Sequence, residues 1–210
     1  MKTSERILIF SLELFNTHGE ANVSSVDISN ELDISPGNLY YHFKGKEIII
    51  TALFDMYQNQ MGKALLASEE NSFNLEEFFY YLLVVFDVSH TFRFLYRNPA
   101  EIAEKYPAIA KGFTRILDAK EKVFQNFLED FSDSQLLAID PVQTKQMVEL
   151  ISMIGSQSTN YQLLKGKDIN DGLYIKQSLL QILFALTPFM TIDKSEIDEI
   201  KSVIEGFDIH

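Results

Sequence analysis

The densest chemistry in the sequence lies in the thirteen residues from Ser35 to Glu47, SPGNLYYHFKGKE. A proline, two glycines, two adjacent tyrosines, a histidine and two lysines crowd together there. Leu39 and Phe43 are four residues apart, so on a helix they share one face and can anchor it to a core. The remaining residue types suit a DNA duplex. Asn38 can pair bidentately with adenine N6 and N7, and Pro36 can touch a thymine methyl. Gly37 allows a close backbone approach. The hydroxyls of Tyr40 and Tyr41, together with His42 and Lys46, can bond phosphate oxygens. Lys46 also opens a helix, where free N–H groups suit an anion. Ser24 and Ser25 offer hydroxyls and free amides to a second phosphate. Each of these residues alone is ordinary surface or packing; the joint arrangement carries the reading.

The neighbouring segments supply what such a surface needs to be held. Apolar residues at helical spacing run from Ser4 to Thr17, and Gly19 sits where a helix ends. A second helix is expected from Ser24, with Ser24 and Asp27 as a capping box and Val26, Ile28 and Leu32 inward. A third, short helix starts at Ser35 with Pro36 in its first turn. Only Leu32 to Ser35 join the two, which is the tight link of a helix-turn-helix unit. In such a unit the second helix lies in the major groove. Gly45 separates this unit from a fourth helix, expected over Lys46–Ala67.

Residues 3–50 resemble the DNA-binding domain of the TetR/AcrR family of transcriptional regulators. The resemblance is carried by Ile7-Leu8, Leu14-Phe15, His18-Gly19, Ser25-Val26, Asp27-Ile28, Ile34-Ser35, Gly37 to Phe43 and Lys46-Glu47. It implies that Pro36, Gly37, Asn38 and Tyr40 face bases and that Ser25, Tyr41, His42 and Lys46 hold phosphates. It also implies a larger helical effector-binding and dimerisation domain, dividing the chain into residues 1–47 and 48–210. Three features depart from the family pattern. Asp33 stands in the turn where glycine is common, Phe10 fills a position that is often alanine, and the domain is not basic. Residues 1–50 carry four Lys and Arg against seven Asp and Glu, a net charge of −3. Lys44 and Lys46 from two subunits would neutralise about four phosphates and give a salt slope near −3.6.

The rest of the chain is read as helices over Asn74–Tyr96, Pro99–Lys105, Pro107–Phe131, Pro141–Leu164, Gly172–Met190 and Asp193–Glu205, with loops at Ser132–Ser134 and Lys165–Gly172. No strand alternation is visible, so the class is all-α. Aromatic residues recur at helical spacing and read either as plain core or as the wall of an effector pocket. Tyr57, Met61, Phe86, His90, Phe113, Met153 and Gln157 are the pocket candidates, with Ser156 and Asn160 as further polar groups. His90 shares an apolar face with Phe86 and is equally a core histidine. The helices near 142–164 and 173–190 are the dimer candidates. The first carries Met147, Leu150, Ile151, Ile154 and the small residues Gly155 and Ser158; the second carries Ile175, Leu179, Ile182, Leu183 and Leu186.

Composition narrows the alternatives. The 210 residues contain no cysteine, which removes disulfides, thiolate metal sites and cysteine nucleophiles. The four histidines (His18, His42, His90 and His210) form no H-E-x-x-H, and neither a G-x-S-x-G nor a Gly-rich phosphate loop occurs. No enzyme, metal or cofactor is expected. The apolar run through Tyr80 to Phe86 is far shorter than the ~20 residues that cross a bilayer. The reading is a cytoplasmic homodimer that binds a palindromic double-stranded DNA operator, by default represses, and is released by a small-molecule effector. A transcriptional activator, or a DNA-bound adaptor for a protein partner, remains as the alternative. A net charge of −12 argues against a generic polyanion binder, so DNA contact must come from a local patch.

Overall fold

Ile7, Ser11 and Phe15 recur every four residues and form the buried face of α1 (Thr3–His18). Gly19 takes φ +84° just beyond it, and its N–H closes the helix on the Phe15 carbonyl. A single 3₁₀ turn, Glu20–Asn22, leads to α2 (Ser25–Glu31) and then α3 (Pro36–His42). The capping box of Ser24 and Asp27 is formed. Asp33 adopts φ +51°, the left-handed turn geometry that a short polar side chain tolerates. Val26, expected inward, is instead 53% exposed. Positions two apart cannot share a helix face, and Ile28 and Leu32 hold the inward one.

The computed structural model describes residues 1–67 and 73–208, so His210 lies outside the described residues. Beyond α3 come α4 (Lys46–Leu66), α5 (Leu75–Thr91), α6 (Phe94–Arg97), α7 (Pro99–Lys105), α8 (Pro107–Asp133), α9 (Pro141–Leu164), α10 (Leu173–Leu186) and α11 (Lys194–Gly206). Prolines open α3, α7, α8 and α9, where a missing N–H costs nothing. Pro188 ends the regular part of α10, which passes into a 3₁₀ turn rather than running to Met190. Among the described residues, strand pairing is limited to one isolated bridge, Leu137 with Met190. No described helix is long and apolar enough to cross a membrane.

The segment expected as one helix from Asn74 to Tyr96 is broken at Phe92, between α5 and α6. The break is held by a residue 75 positions away. Asn16 of α1, 5% exposed, donates to the Thr91 carbonyl at 2.9 Å and accepts the Phe94 N–H at 2.9 Å. It thus satisfies backbone groups that an interrupted helix leaves open. Arg97 adds a bond to the Asn16 carbonyl at 3.0 Å.

α4 begins against α1 and ends packed between α5 and α8. Gly112 of α8 allows the crossing with α4, because a Cβ there would lie 2.3 Å from Phe54 Cε1. α9 and α10 pack against each other, with Met147, Ile151, Ile175, Leu179, Ile182, Leu183 and Leu186 turned into the chain's own core. These residues therefore do not form the outer dimer face expected of them. Gly155 is likewise engaged internally, since a Cβ there would approach the Phe86 ring at 2.9 Å. The outer faces carry another apolar set: Met153, Tyr161 and Leu164 on α9, Leu173 and Phe184 on α10, all more than half exposed.

Candidate nucleic-acid interface and effector cavity

α3 is built to present one face and bury the other. Ser35 Oγ accepts the Asn38 N–H at 3.1 Å, capping the helix above Pro36. Leu39 is 3% exposed and Phe43 half-buried, so the anchoring face is as the spacing indicated. Pro36, Gly37, Asn38 and His42 are exposed, Tyr40 is 62% exposed and Tyr41 82%. The Tyr41 and His42 rings meet edge to face at 5.2 Å, which orients both at the outer end of the helix. Ser25 is half-buried at the start of α2. The Ser24 hydroxyl is already spent on its cap: it donates to Asp27 Oδ2 at 2.6 Å and accepts the Asp27 N–H at 3.2 Å.

Lys46 is placed differently from expectation. Its ammonium lies 2.7 Å from Glu20 Oε1 and donates to the carbonyls of Glu20 and Val23, each at 2.9 Å. A carboxylate only 5% exposed outcompetes solvent for this cation, so the Lys46 side chain braces the fold instead of projecting toward a duplex. Lys44 remains exposed. Glu20 also accepts from Lys105 Nζ at 3.1 and 3.2 Å and from the Tyr106 hydroxyl at 2.8 Å. Burial pushes the Glu20 carboxyl up, but the bonds from Lys46, Tyr106 and Lys105 outweigh it and hold the group ionised below its ordinary range. Burial and the bond to Glu20 push the Tyr106 phenol well up. This cluster ties the turn after α1 to the start of α4, the end of α7 and the start of α8. Nothing local in the sequence distinguishes Glu20 from a surface acid.

A cavity of about 330 Å³ lies among α5 to α9. Phe86, Phe113, Ile116, Phe124 and Ile151 supply apolar wall; Thr114, Lys120, Ser152, Ser156 and Gln157 supply polar groups. A larger groove of about 750 Å³ between α8 and α9 is lined mostly by charged and polar side chains, Asp118, Glu121, Lys122, Glu129 and Glu149 among them, with Ile139, Pro141 and Val148 as its apolar part, whereas small-molecule sites are mostly apolar. Four expected pocket residues, Phe86, Phe113, Ser156 and Gln157, line the cavity. Met61 is fully buried in the α4 core, and Met153 is 57% exposed on the outer side of α9. Tyr57 sits one layer behind the wall, its hydroxyl hydrogen-bonded to that of the lining residue Tyr96. Asn160 donates to the Arg97 carbonyl at 2.6 Å and serves the scaffold. Lys120, Tyr96 and Ser152 were not among the expected groups. Lys120 gives a signal in retrospect, as the one charged residue in the series Gly112, Ile116, Lys120, Phe124 along α8.

His90 is a core histidine. It is 4% exposed, its Nδ1 lies 3.1 Å from the Tyr174 hydroxyl, and that hydroxyl accepts from Thr159 at 3.0 Å. The chain of donors makes Nδ1 the acceptor and leaves the ring neutral. Burial, aided by the nearby Arg93 charge, pushes its pKa down to about 4. A folded-state value below the unfolded ~6.5 means that the unfolded chain takes up the proton first. The stability His90 confers is full above pH 6.5 and is lost as the pH falls toward 4. Thermal melts at pH 7.5 and 5.0 should show a loss on the order of 2 kcal/mol, and His90→Gln should remove most of that difference.

Similarity to known proteins falls on both halves. A family model described as bacterial regulatory proteins of the tetR family matches residues 7–53, and one described as a bacterial transcriptional repressor matches residues 56–196. An uncharacterized HTH-type transcriptional regulator in the dhlA 5′ region of Xanthobacter autotrophicus is 35% identical over 54 residues, 26% of this chain and 27% of that one. The chain therefore spans about a quarter of the length of this curated relative. A TetR-family transcriptional regulator from Marinobacter aquaeolei VT8 superposes with a TM-score of 0.83 at 27% identity, covering 99% of this chain and all of that one. A TerR/AcrR-family regulator from Aquifex aeolicus VF5 shares the fold with a TM-score of 0.59 at 22% identity, over 87% of this chain and 99% of that one. The two family matches meet inside α4, the helix that follows the helix-turn-helix and packs behind the cavity wall. They describe one continuous regulator, and the chain belongs to the TetR family of bacterial transcriptional regulators.

Proposed function

We propose that the protein is a ligand-responsive dimer that binds a two-fold symmetric DNA site, represses by occupying it, and leaves it when a small molecule fills the cavity. The observation that carries this reading is the exposed face of α3, with Asn38, Tyr40 and Tyr41 outward above the Leu39 anchor. Pro36, Gly37, Asn38 and Tyr40 would meet base edges; Ser25, Tyr41, His42 and Lys44 would meet phosphates. The outer apolar stripe on α9 and α10 supports a homodimer, because the same patch on two subunits is self-complementary about a two-fold axis. That axis would present two copies of α3 to one palindrome. The division into a reading unit, residues 1–47, and an effector and dimerisation unit, 48–210, belongs to the same proposal, as does a cytoplasmic site of action on the chromosome.

Two routes connect cavity and reading unit. Lining residue Tyr96 bonds Tyr57 of α4, and α7 and α8 reach Lys46 through Glu20. A ligand that favours one arrangement of these helices changes the spacing of the two α3 helices, and it acts only by the difference in its affinity for the two states.

Fragments selected by the purified protein from a genomic DNA pool should share a palindrome. No enrichment by a folded dimer would sink the operator reading and favour an adaptor; enrichment with raised transcription in a reporter would favour an activator. Because Lys46 is committed to Glu20, Lys44 from each subunit leaves about two phosphates neutralised and a salt slope near −1.8. A measured slope near −3.6 would mean that Lys46 leaves Glu20 to reach the DNA.

A further inference from the structure

Lys120 is 7% exposed, sits on the apolar stripe of α8 and lines the cavity. Its ammonium touches only neutral oxygens, Ser89 Oγ and the Tyr96 hydroxyl, each at the long distance of 3.4 Å, and lies 5.7 Å from the Tyr96 ring centre. Among the described residues no Asp or Glu lines the cavity, in a chain where acids outnumber Lys and Arg by 30 to 18. A buried charge is stable when an opposite charge or strong hydrogen bonds meet it. In the same cavity Ser152 Oγ is buried and has no hydrogen-bond partner. The site thus brings a cation without an anion and a hydroxyl without a partner into the lining of one largely apolar cavity.

We propose that the effector is an amphiphilic monocarboxylate, its carboxylate held by Lys120 and Ser152 and its apolar part lodged against Phe86, Phe113 and Phe124. This rests on the reading of the cavity as the effector site. One ammonium suits a single negative charge; among the described residues no second lysine or arginine lines the cavity to meet a phosphate dianion. The volume, about 330 Å³, lies at the small end of ligand sites and limits the apolar part to a short chain or a compact ring system. Binding would also report to α4. The carboxylate competes with the Tyr96 hydroxyl for Lys120, and that hydroxyl is the one bonded to Tyr57.

The probes are octanoate, decanoate and 2-naphthoate, each compared with the matching primary alcohol by calorimetry on the full-length protein. The acids should bind about 10- to 100-fold more tightly than the alcohols, the usual worth of a charge-assisted contact. Lys120→Met, close in volume, should abolish that preference while leaving alcohol binding intact. Equal affinity of acids and alcohols, an acid preference retained in Lys120→Met, or no binding of any acid would each overturn the proposal. Ala110→Phe, which fills the cavity, separates this from failure of the cavity reading. Alcohol binding abolished by Ala110→Phe, with no acid preference, keeps the cavity and refutes the charge. Acid binding untouched by both Lys120→Met and Ala110→Phe places the ligand elsewhere and refutes both.

Discussion

Glu20→Ala should cost about 3–5 kcal/mol of folding stability, the range for removing one partner of a buried ion pair. The reason is what it leaves behind. Lys46 keeps two carbonyl partners but loses its counter-ion, and the Tyr106 hydroxyl loses its acceptor in a buried position. Lys105→Met should cost only about 1 kcal/mol or less, because the Lys105 side chain is 44% exposed and water replaces the bond. Urea denaturation of both variants checks the contrast. A Glu20→Ala loss no larger than that of Lys105→Met would show that the cluster is not a structural brace. The acid limb of the stability profile carries a second signature. The Glu20 carboxyl is held below its ordinary value, so its contribution is complete above about pH 4.5 and is lost as the pH falls below that. His90 acts over a higher window, from 6.5 down to about 4. Glu20→Ala should therefore flatten the lower part of the acid limb and leave the His90 part in place.

The second large effect is expected at Gly112, where α8 crosses α4. A Cβ there would lie 2.3 Å from Phe54 Cε1, 2.6 Å from Cζ and 3.1 Å from Gln58 Nε2. Phe54 has nowhere to retreat, since it is 3% exposed and its ring packs against Tyr57 and Phe113 with centroids 5.8 and 5.3 Å apart. Gly112→Leu should cost about 3 kcal/mol, the upper end for an overpacked core. Phe54→Ala alone should cost about as much or more by leaving a cavity. In the double variant the leucine occupies space the ring vacated, so the combined loss should fall short of the sum by more than about 1 kcal/mol. Strict additivity in a double-mutant cycle would mean that the two residues do not meet. On the proposed function, a double variant that folds should also show an operator affinity less responsive to effector, because Phe54 packs against Tyr57, the α4 end of the Tyr96–Tyr57 route.

Local chemistry alone determined the helix-turn-helix unit. Ser24 and Ser35 as caps, Pro36 in the first turn, Asp33 in a left-handed turn, and Leu39 with Phe43 as anchors are arrangements within one or two helical turns, which residue type and spacing dictate directly. The same logic placed the start of every proline-opened helix and the all-α class. It could not foresee partners that packing brings together across long stretches of chain. Asn16 breaks the α5–α6 helix from 75 residues away, and Glu20 claims Lys46 from 26 residues away. A lysine reads identically in sequence whether it faces phosphate or a buried carboxylate. The cavity was likewise beyond periodicity, because a helical stripe says which side is inward but not where two inward faces fail to fill the space between them. Only the assembled helices left Lys120 lining that space without a carboxylate beside it and Ser152 Oγ without a hydrogen-bond partner, while turning Met153 outward and His90 toward Tyr174.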